Sequence, residues 1–197
     1  MFFQRLCQMI VCVTGVVVLA GRTPAADGVI QARQALFDRS QPKTLGLQTI
    51  PGEQTLLYRA TKDSHRFCHH PNLVRFNGRL YCMWSNGLTN EDDLGQRILY
   101  ADSENGLDWS TPRELAIDPQ GRGACVSIGF LVSGSQLTVF YTVTVGQNFH
   151  PETALWAKIS GDGRNWGQPQ RVTSGFFIEA PRRLPGGRLL LCGENVG

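Results

Sequence analysis

The sequence lacks the charge pattern of a nucleic-acid-binding protein. It has 19 lysines and arginines against 16 aspartates and glutamates, a formal net charge of +3, and no block or stripe of basic residues. Without Arg5 and Arg22, which lie near the N-terminus, 17 basic residues face 16 acidic ones. We therefore expect no nucleic-acid partner. Charged residues make up only 18% of the chain and hydrophobic ones 42%, which excludes wholesale disorder.

The sequence also lacks an apolar run long enough for a comfortable membrane span, which needs about 20 residues. The apolar stretch at residues 9–20 follows Arg5 and precedes small residues at 23–26, an order typical of a secretory signal. We therefore expect residues 1–26 to be a signal peptide and the mature protein to be secreted or periplasmic, with no membrane span after cleavage. An uncleaved N-terminal anchor is the alternative.

Cysteine spacing of the kind that binds zinc is missing as well. Signal cleavage reduces six cysteines to four, which match no zinc motif: Cys68, Cys82, Cys125 and Cys192. Export permits disulfides, but Cys82 and Cys192 lie in apolar, strand-like runs. Buried thiols that serve as small apolar side chains are therefore the favoured interpretation.

What the sequence contains is a repeat with a spacing of 57 residues. Trp109 and Trp166 show this spacing, and so do Ser103 and Ser160. A third copy begins at residue 185. Each copy predicts four short strands, because apolar runs alternate with turn residues such as Asn77-Gly78. In the first copy we place the strands at about residues 72–76, 79–85, 97–102 and 113–117.

A four-stranded unit repeated at fixed spacing predicts an all-β fold, the β-propeller, whose blades must stack to bury their faces. Six or seven blades of this length need about 350–400 residues. We therefore predict a partial propeller of about two and a half blades over residues 64–197, truncated in the third blade. We also expect self-association through open blade edges. Residues 27–63 form a separate N-terminal segment, in which residues 55–60 are expected to be an outer, ring-closing strand.

The turn after the third strand of each copy carries a resemblance to a known family. Residues 160–166 read SGDGRNW and resemble the Asp box of the bacterial neuraminidase repeat, and residues 103–109 are a degenerate copy. Residues 64–197 thus resemble the sialidase superfamily of six-bladed propellers. We expect structural roles, without catalysis, for the eight box residues: Ser103, Asn105, Gly106, Trp109, Ser160, Asp162, Gly163 and Trp166.

Polar residues collect in the loops that lead into each blade and that join its second and third strands. Alternating strand direction puts these loops on one face, where propellers usually bind ligands. Candidate catalytic residues there are His69, His70, Asp92, Asp93 and Glu179. Candidate substrate-binding residues are Arg66, Asn86, Gln96, Arg97, Arg122, His150 and Arg182.

Carboxylates for acid–base work and arginines for sugar acids suit an oligosaccharide or polysaccharide partner. We expect no cofactor and no metal. The alternative is a metal site at His69, His70 and Asp92, which no helical or paired-cysteine ligand spacing supports.

Three functional hypotheses follow. The resemblance implies an exo-acting glycoside hydrolase of exo-α-sialidase type, with Asp92 or Asp93 at the position of the family's acid/base residue. It also places His69 where the family has an arginine that grips the sialic acid carboxylate. The second hypothesis is a His-dependent lyase or hydrolase of uronate-containing glycans, with Arg97 or Arg122 neutralising the uronate. The third is a non-catalytic glycan-binding propeller or a non-functional fragment.

Overall fold

The computed structural model describes residues 37–146 and 150–196. The predicted signal peptide at residues 1–26 lies outside these ranges. Contacts divide the chain into two units, residues 1–52 and residues 53–197. In the first unit, Asp38 organises a turn, since its Oδ1 accepts from the amide of Ser40 at 2.9 Å. Within the described ranges, no helix has the length and apolar character needed to cross a membrane.

The second unit contains two four-stranded antiparallel sheets and a short ribbon. The first sheet consists of β1 (Phe67–Phe76), β2 (Arg79–Gly87), β3 (Arg97–Ser103) and β4 (Arg113–Ala116). The second consists of β5 (Cys125–Ser133), β6 (Gln136–Val143), β7 (Ala154–Ser160) and β8 (Gln170–Ser174). The ribbon pairs β9 (Arg182–Arg183) with β10 (Leu189–Leu190). Both sheets keep the chain order predicted for propeller blades, and we call them blade one and blade two.

The inner strand of each blade contains a β-bulge that the sequence analysis did not predict. Strand β1 begins five residues earlier than expected, so His69 and His70 lie within it and not in a preceding loop. Its register with β2 shifts between His69 and Asn72, and His70 has a φ of +50°. Strand β5 shifts at Ser127 and Gly129, which lie 57 residues after His70 and Asn72. The bulge is therefore a feature of the repeat.

The two blades are joined by a shared apolar core. Side chains from both sheets form one buried cluster: Met83, Ile98, Tyr100, Leu115, Ala116, Cys125, Val139 and Tyr141. Tyrosines of blade one also donate to backbone carbonyls of blade two. Tyr81 reaches the carbonyl of Asp162 at 3.1 Å, and Tyr100 reaches that of Arg164 at 3.3 Å. Packing thus fixes the blades against each other, because neither sheet can bury both faces alone.

The turns at residues 103–109 and 160–166 have the same internal hydrogen bonds. Ser160 Oγ accepts from the amide of Gly163 at 2.8 Å, and Asp162 Oδ1 accepts from the amides of residues 164 and 165, both at 2.8 Å. Ser103 and Asn105 make the equivalent bonds at 2.9 Å. Because the amides of residues 165 and 164 stabilise its charged form, the pKa of Asp162 lies far below its usual range. These side chains hold the turn.

Residues 51–60 contain no strand. Instead, Leu57 and Tyr58 pack against a cluster on blade one that includes Trp84, Leu99 and Ala101. The ring centroids of Tyr58 and Trp84 are 5.4 Å apart. This segment therefore covers apolar surface of blade one by side-chain packing, without backbone pairing.

The four described cysteines all carry free thiols. Burial raises the pKa of Cys125 to about 12 and that of the half-buried Cys82 to about 11, as expected for thiols that serve as apolar side chains. Cys68 and Cys192 are exposed. The interpretation as buried thiols is therefore wrong for Cys68 and Cys192. Cys192 is exposed because strand β10 ends before it and the strand's own leucines are exposed.

A buried carboxylate anchors the outer part of blade one. Asp102 is 2% exposed and accepts from Arg79 Nε at 2.8 Å and from Ser110 Oγ at 3.2 Å. The guanidinium of Arg113 is a further donor. Burial raises the pKa of Asp102, but the hydrogen bonds from Arg79 and Ser110 and the charge of Arg113 outweigh burial, so the pKa lies below its ordinary value.

We expect Asp102→Ala to lower the free energy of unfolding by about 2–3 kcal/mol, because it leaves these donors unpartnered. The depressed pKa means that the contribution is present above an unfolded-state pKa of about 3.9 and is lost as pH falls through the lower folded-state pKa. Urea unfolding at several pH values measures this. Asp63→Asn, at an exposed position, is the control. Parallel stability curves for wild type and Asp102→Ala down to the lowest pH would contradict the assignment.

We expect Gly163→Ala to lower the free energy of unfolding by about 1–3 kcal/mol. Gly163 has a φ of +73°, and a Cβ there would lie 2.4 Å from the ring of Tyr81. Gly161→Ala is the matched control, because a Cβ at Gly161 meets nothing within 4 Å. Equal thermal unfolding midpoints for the two variants would show that the turn does not depend on this close contact.

Candidate functional site

Two histidines and two carboxylates converge where the bulge of β1 meets the loop between β2 and β3. His69 Nδ1 lies 3.2 Å from Glu91 Oε1, and His70 Nε2 lies 3.8 Å from the same oxygen. On the other side of the His69 ring, Nε2 lies 2.9 Å from Gln96 Oε1 and 3.8 Å from Asp92 Oδ1. We call these five residues the histidine cluster.

Gln96 is the buried centre of the cluster. Its Nε2 donates to Asp92 Oδ1 and to the carbonyl of Cys125, both at 3.0 Å. Its Oε1 accepts from the amide of Asp92 at 3.1 Å. Carboxylates and carbonyls only accept, and a backbone amide only donates, so these contacts fix the orientation of the Gln96 amide. His69 Nε2 must therefore be the donor to Oε1, which leaves the lone pair of the neutral ring on Nδ1.

The bulge places both imidazole rings on the same side of the strand. Successive residues of a regular strand point to opposite faces, but the centroids of the His69 and His70 rings are only 4.2 Å apart. Both Nδ1 atoms are buried and have no hydrogen-bond partner within the described residues. Burial is the main reason that the pKa of His70 is lowered.

Asp93, predicted as a catalytic candidate, is occupied within its own loop. Its Oδ2 accepts from the hydroxyl and the amide of Thr89, the latter at 3.0 Å, and from the amide of Asn90 at 2.6 Å. The hydrogen bond from the Thr89 side chain is the main reason that the pKa of Asp93 is lowered, and the charge of Arg66 contributes less. The loop folds back closely on Gly87, where a Cβ would lie 2.4 Å from the carbonyl oxygen of Asn90.

Two predicted substrate-binding residues support the backbone beside the cluster. Asn86 is fully buried and donates to the carbonyls of His65 at 3.1 Å and Phe67 at 3.2 Å. Its Oδ1 accepts from Arg97 Nε at 3.1 Å, and Arg97 also lies 3.7 Å from Glu114. Asn86 therefore secures the start of β1, and Arg97 holds Asn86 in position.

The structure places the remaining candidates in other parts of the surface. Glu179 is 58% exposed, forms an ion pair with Arg182 at 2.7 Å, and lines a cleft of about 290 Å³ together with Asn72. His150 Nδ1 accepts from the amide of residue 152 at 3.1 Å, which makes it a turn residue. Arg122 lines another cleft, of about 630 Å³, whose wall includes Trp156 and Arg171.

Glu91 is a site residue that the sequence pattern did not indicate. It lies in the same acidic stretch as Asp92 and Asp93, but only its carboxylate faces both imidazoles. Its side chain is 55% exposed, so nothing in its hydrophobic pattern marks it. What brings Glu91 to the imidazoles is the loop between β2 and β3, which folds back beside the bulge of β1.

No family model and no curated protein matches the chain. Among solved structures, a sialidase aligns at 17% identity over 61% of this chain and 14% of its own, with a TM-score of 0.51. A Trypanosoma rangeli sialidase in complex with sialic acid aligns at 12% identity over 71% of this chain and 30% of its own, with a TM-score of 0.52. The chain thus spans less than a third of each sialidase. These similarities concern the fold, and they confirm the predicted all-β partial propeller of sialidase-like architecture.

Proposed function

We propose that this chain supplies blades of a secreted glycoside hydrolase that acts on an oligosaccharide or polysaccharide. The observation that carries the proposal is the convergence of His69, Asp92 and Glu91 at one end of the inner strand of a sialidase-like propeller. Sites of this composition supply the proton transfers that glycosidic bond cleavage requires. The signal-like residues 1–26 support export. We also assign the turns at residues 103–109 and 160–166 as structural Asp boxes.

Asp92 is the acid/base residue in this proposal. Its Oδ1 is oriented by Gln96, and its side chain is 33% exposed, so a ligand can reach it. Asp93 lies in the same loop, but its Oδ2 is held by Thr89 and Asn90. By the sialidase resemblance, the acid/base residue belongs to this loop. The hydrogen bonds that hold Asp93 within the loop favour Asp92 for the role.

The proposal is for an exo-acting enzyme of sialidase type whose sugar need not be a sialic acid. His69 stands where the resemblance expects a carboxylate-gripping arginine, and Gln96 already engages its Nε2. A sugar acid would therefore be bound by guanidinium groups of other loops. Arg122 in the 630 Å³ cleft is one such group, and Trp156 in the same cleft offers an aromatic face for a sugar ring.

We expect Asp92→Asn to lower kcat/KM for glycoside hydrolysis by about 10²–10⁴-fold, because the amide cannot transfer the proton. The measurement uses the whole protein, a panel of chromogenic glycosides and oligosaccharides, and thermal unfolding to confirm that the variant folds.

Asp108→Asn is the matched control for Asp92→Asn. It removes the same charge from a loop carboxylate in the turn after β3, whose Oδ2 accepts from Asn105 Nδ2 at 2.8 Å. We expect the control to keep the hydrolytic activity of the folded protein. Asp92→Asn with the same activity as this control would remove Asp92 from the mechanism.

The orientation of His69 favours a second candidate, a lyase of uronate-containing glycans. The lone pair on Nδ1 is that of a proton acceptor, and it becomes accessible to a substrate once the exposed Glu91 side chain moves off it. In β-elimination the base takes the proton from C5 of the uronate, a double bond forms between C4 and C5, and the glycosidic oxygen leaves C4 with the electron pair of the broken C–O bond and takes up a proton from water. The product is an unsaturated sugar that absorbs in the ultraviolet.

Polygalacturonate and other uronate polymers distinguish the two candidates. A lyase releases ultraviolet-absorbing ends, and we expect His69→Asn to abolish their formation. A hydrolase releases reducing ends without this absorbance. Reducing ends alone would overturn the lyase candidate and leave the hydrolase proposal standing.

A further inference from the structure

We propose that His69, His70 and Glu91 form a binding site for a divalent transition-metal ion, with zinc as the cation that best fits the donors. One ligand atom from each residue lies within 4.8 Å of the others. The inference concerns metal binding and does not depend on the proposed hydrolase activity.

The spacing of the ligand atoms fits a small ion. Ligands about 2.0–2.2 Å from a tetrahedral ion lie about 3.3–3.6 Å from one another. The separation from His69 Nδ1 to Glu91 Oε1 is 3.2 Å, and that from His70 Nε2 to the same oxygen is 3.8 Å. Both separations differ from that range by only a few tenths of an ångström, and the two imidazole nitrogens lie within 4.8 Å of each other. Glu91 is 55% exposed, so its side chain has room for this movement.

The hydrogen bonds of Gln96 leave two acceptor atoms, His69 Nδ1 and Glu91 Oε1, facing each other, and a cation between them would bind both. Because His69 Nε2 donates to Gln96 Oε1, the ring in its neutral form directs the lone pair of Nδ1 towards a carboxylate oxygen 3.2 Å away. Two acceptors at this distance repel each other, and this buried Nδ1 has no hydrogen-bond partner within the described residues. A cation between Nδ1 and Glu91 removes the repulsion and satisfies both atoms.

The surroundings have the form of an outer ligand shell. Histidines that bind metals usually donate their second ring nitrogen to an acceptor, which fixes the tautomer and the ring. Gln96 is such an acceptor, and its bonds to Asp92 and Cys125 hold it in place. The strained φ of +50° at His70 brings its ring beside that of His69.

Blade two has the same bulge as blade one but no histidine in it. The equivalent bulge in β5 has Ser127 where β1 has His70, so the backbone feature occurs without imidazoles. The histidine pair is therefore specific to blade one.

The donor set selects the class of ion. Two imidazoles and one carboxylate suit zinc and similar first-row ions, whereas calcium and magnesium prefer oxygen ligands throughout. Three protein ligands leave one tetrahedral position for water or a sugar hydroxyl.

Zinc chloride titrated into the chelator-treated whole protein, followed by calorimetry, tests the site. We expect one ion per chain, and at least about a 10-fold rise in Kd for both Glu91→Gln and His70→Ala. Cobalt substitution should give the visible spectrum of a tetrahedral site without the thiolate band. Glu91 is exposed, so Glu91→Gln should fold even where His70→Ala does not.

Three control variants make the result specific. His150→Ala and Glu152→Gln alter an exposed imidazole–carboxylate pair, 4.0 Å apart, that lacks a second histidine, and both should bind zinc as wild type does. Cys68→Ser removes the exposed thiol beside His69 and should also leave Kd unchanged. The proposal is overturned by an absence of saturable zinc binding, by unchanged affinity in Glu91→Gln, or by loss of binding in Cys68→Ser.

Discussion

The packing of blade one against blade two is the constraint on which the rest of the structure depends. A single four-stranded sheet has two faces and no means to bury both, so the apolar residues of β2 and β3 become a core only when β5 and β6 cover them. The same junction fixes the candidate site. Gln96 accepts from the amide of Cys125 at 2.9 Å through its backbone and donates to the Cys125 carbonyl at 3.0 Å through its side chain. The centre of the histidine cluster is thus bonded to the first residue of the next blade.

The repeat made the architecture predictable, because a fixed spacing constrains every copy at once. The Asn77-Gly78 hairpin lies between β1 and β2, and both residues have positive φ, as a tight hairpin turn requires. The site was less predictable. The bulge at His70 depends on a register shift that no alternation of residues reveals, and the contact of Glu91 with the imidazoles depends on how its loop folds back. Glu179, predicted as a catalytic candidate, has an exposed carboxylate that forms an ion pair with Arg182.

The two blades show how a repeated scaffold acquires a local site. Bulge, hairpin and box-like turn occur in both, with the same hydrogen bonds around Ser103 and Ser160. These features follow from the fold and say nothing about chemistry. The imidazole and carboxylate groups of the candidate site lie where the copies differ, at His70 in place of Ser127 and in the acidic loop before Gln96. The tight turns meet the neighbouring blade at the opposite end of the strands, where Tyr81 and Tyr100 bond to backbone carbonyls.

The zinc site and the lyase candidate both require the lone pair on Nδ1 of His69. The fixed Gln96 amide leaves only Nδ1 of His69 able to accept a proton or a cation, and it cannot do both at once. A protein that holds zinc at Nδ1 therefore cannot use His69 as the base of a lyase. Asp92 is under no such restriction, because its hydrogen bonds within the described residues use Oδ1 and its amide and leave Oδ2 available. Metal binding and hydrolysis through Asp92 are thus compatible, whereas metal binding and elimination through His69 exclude each other.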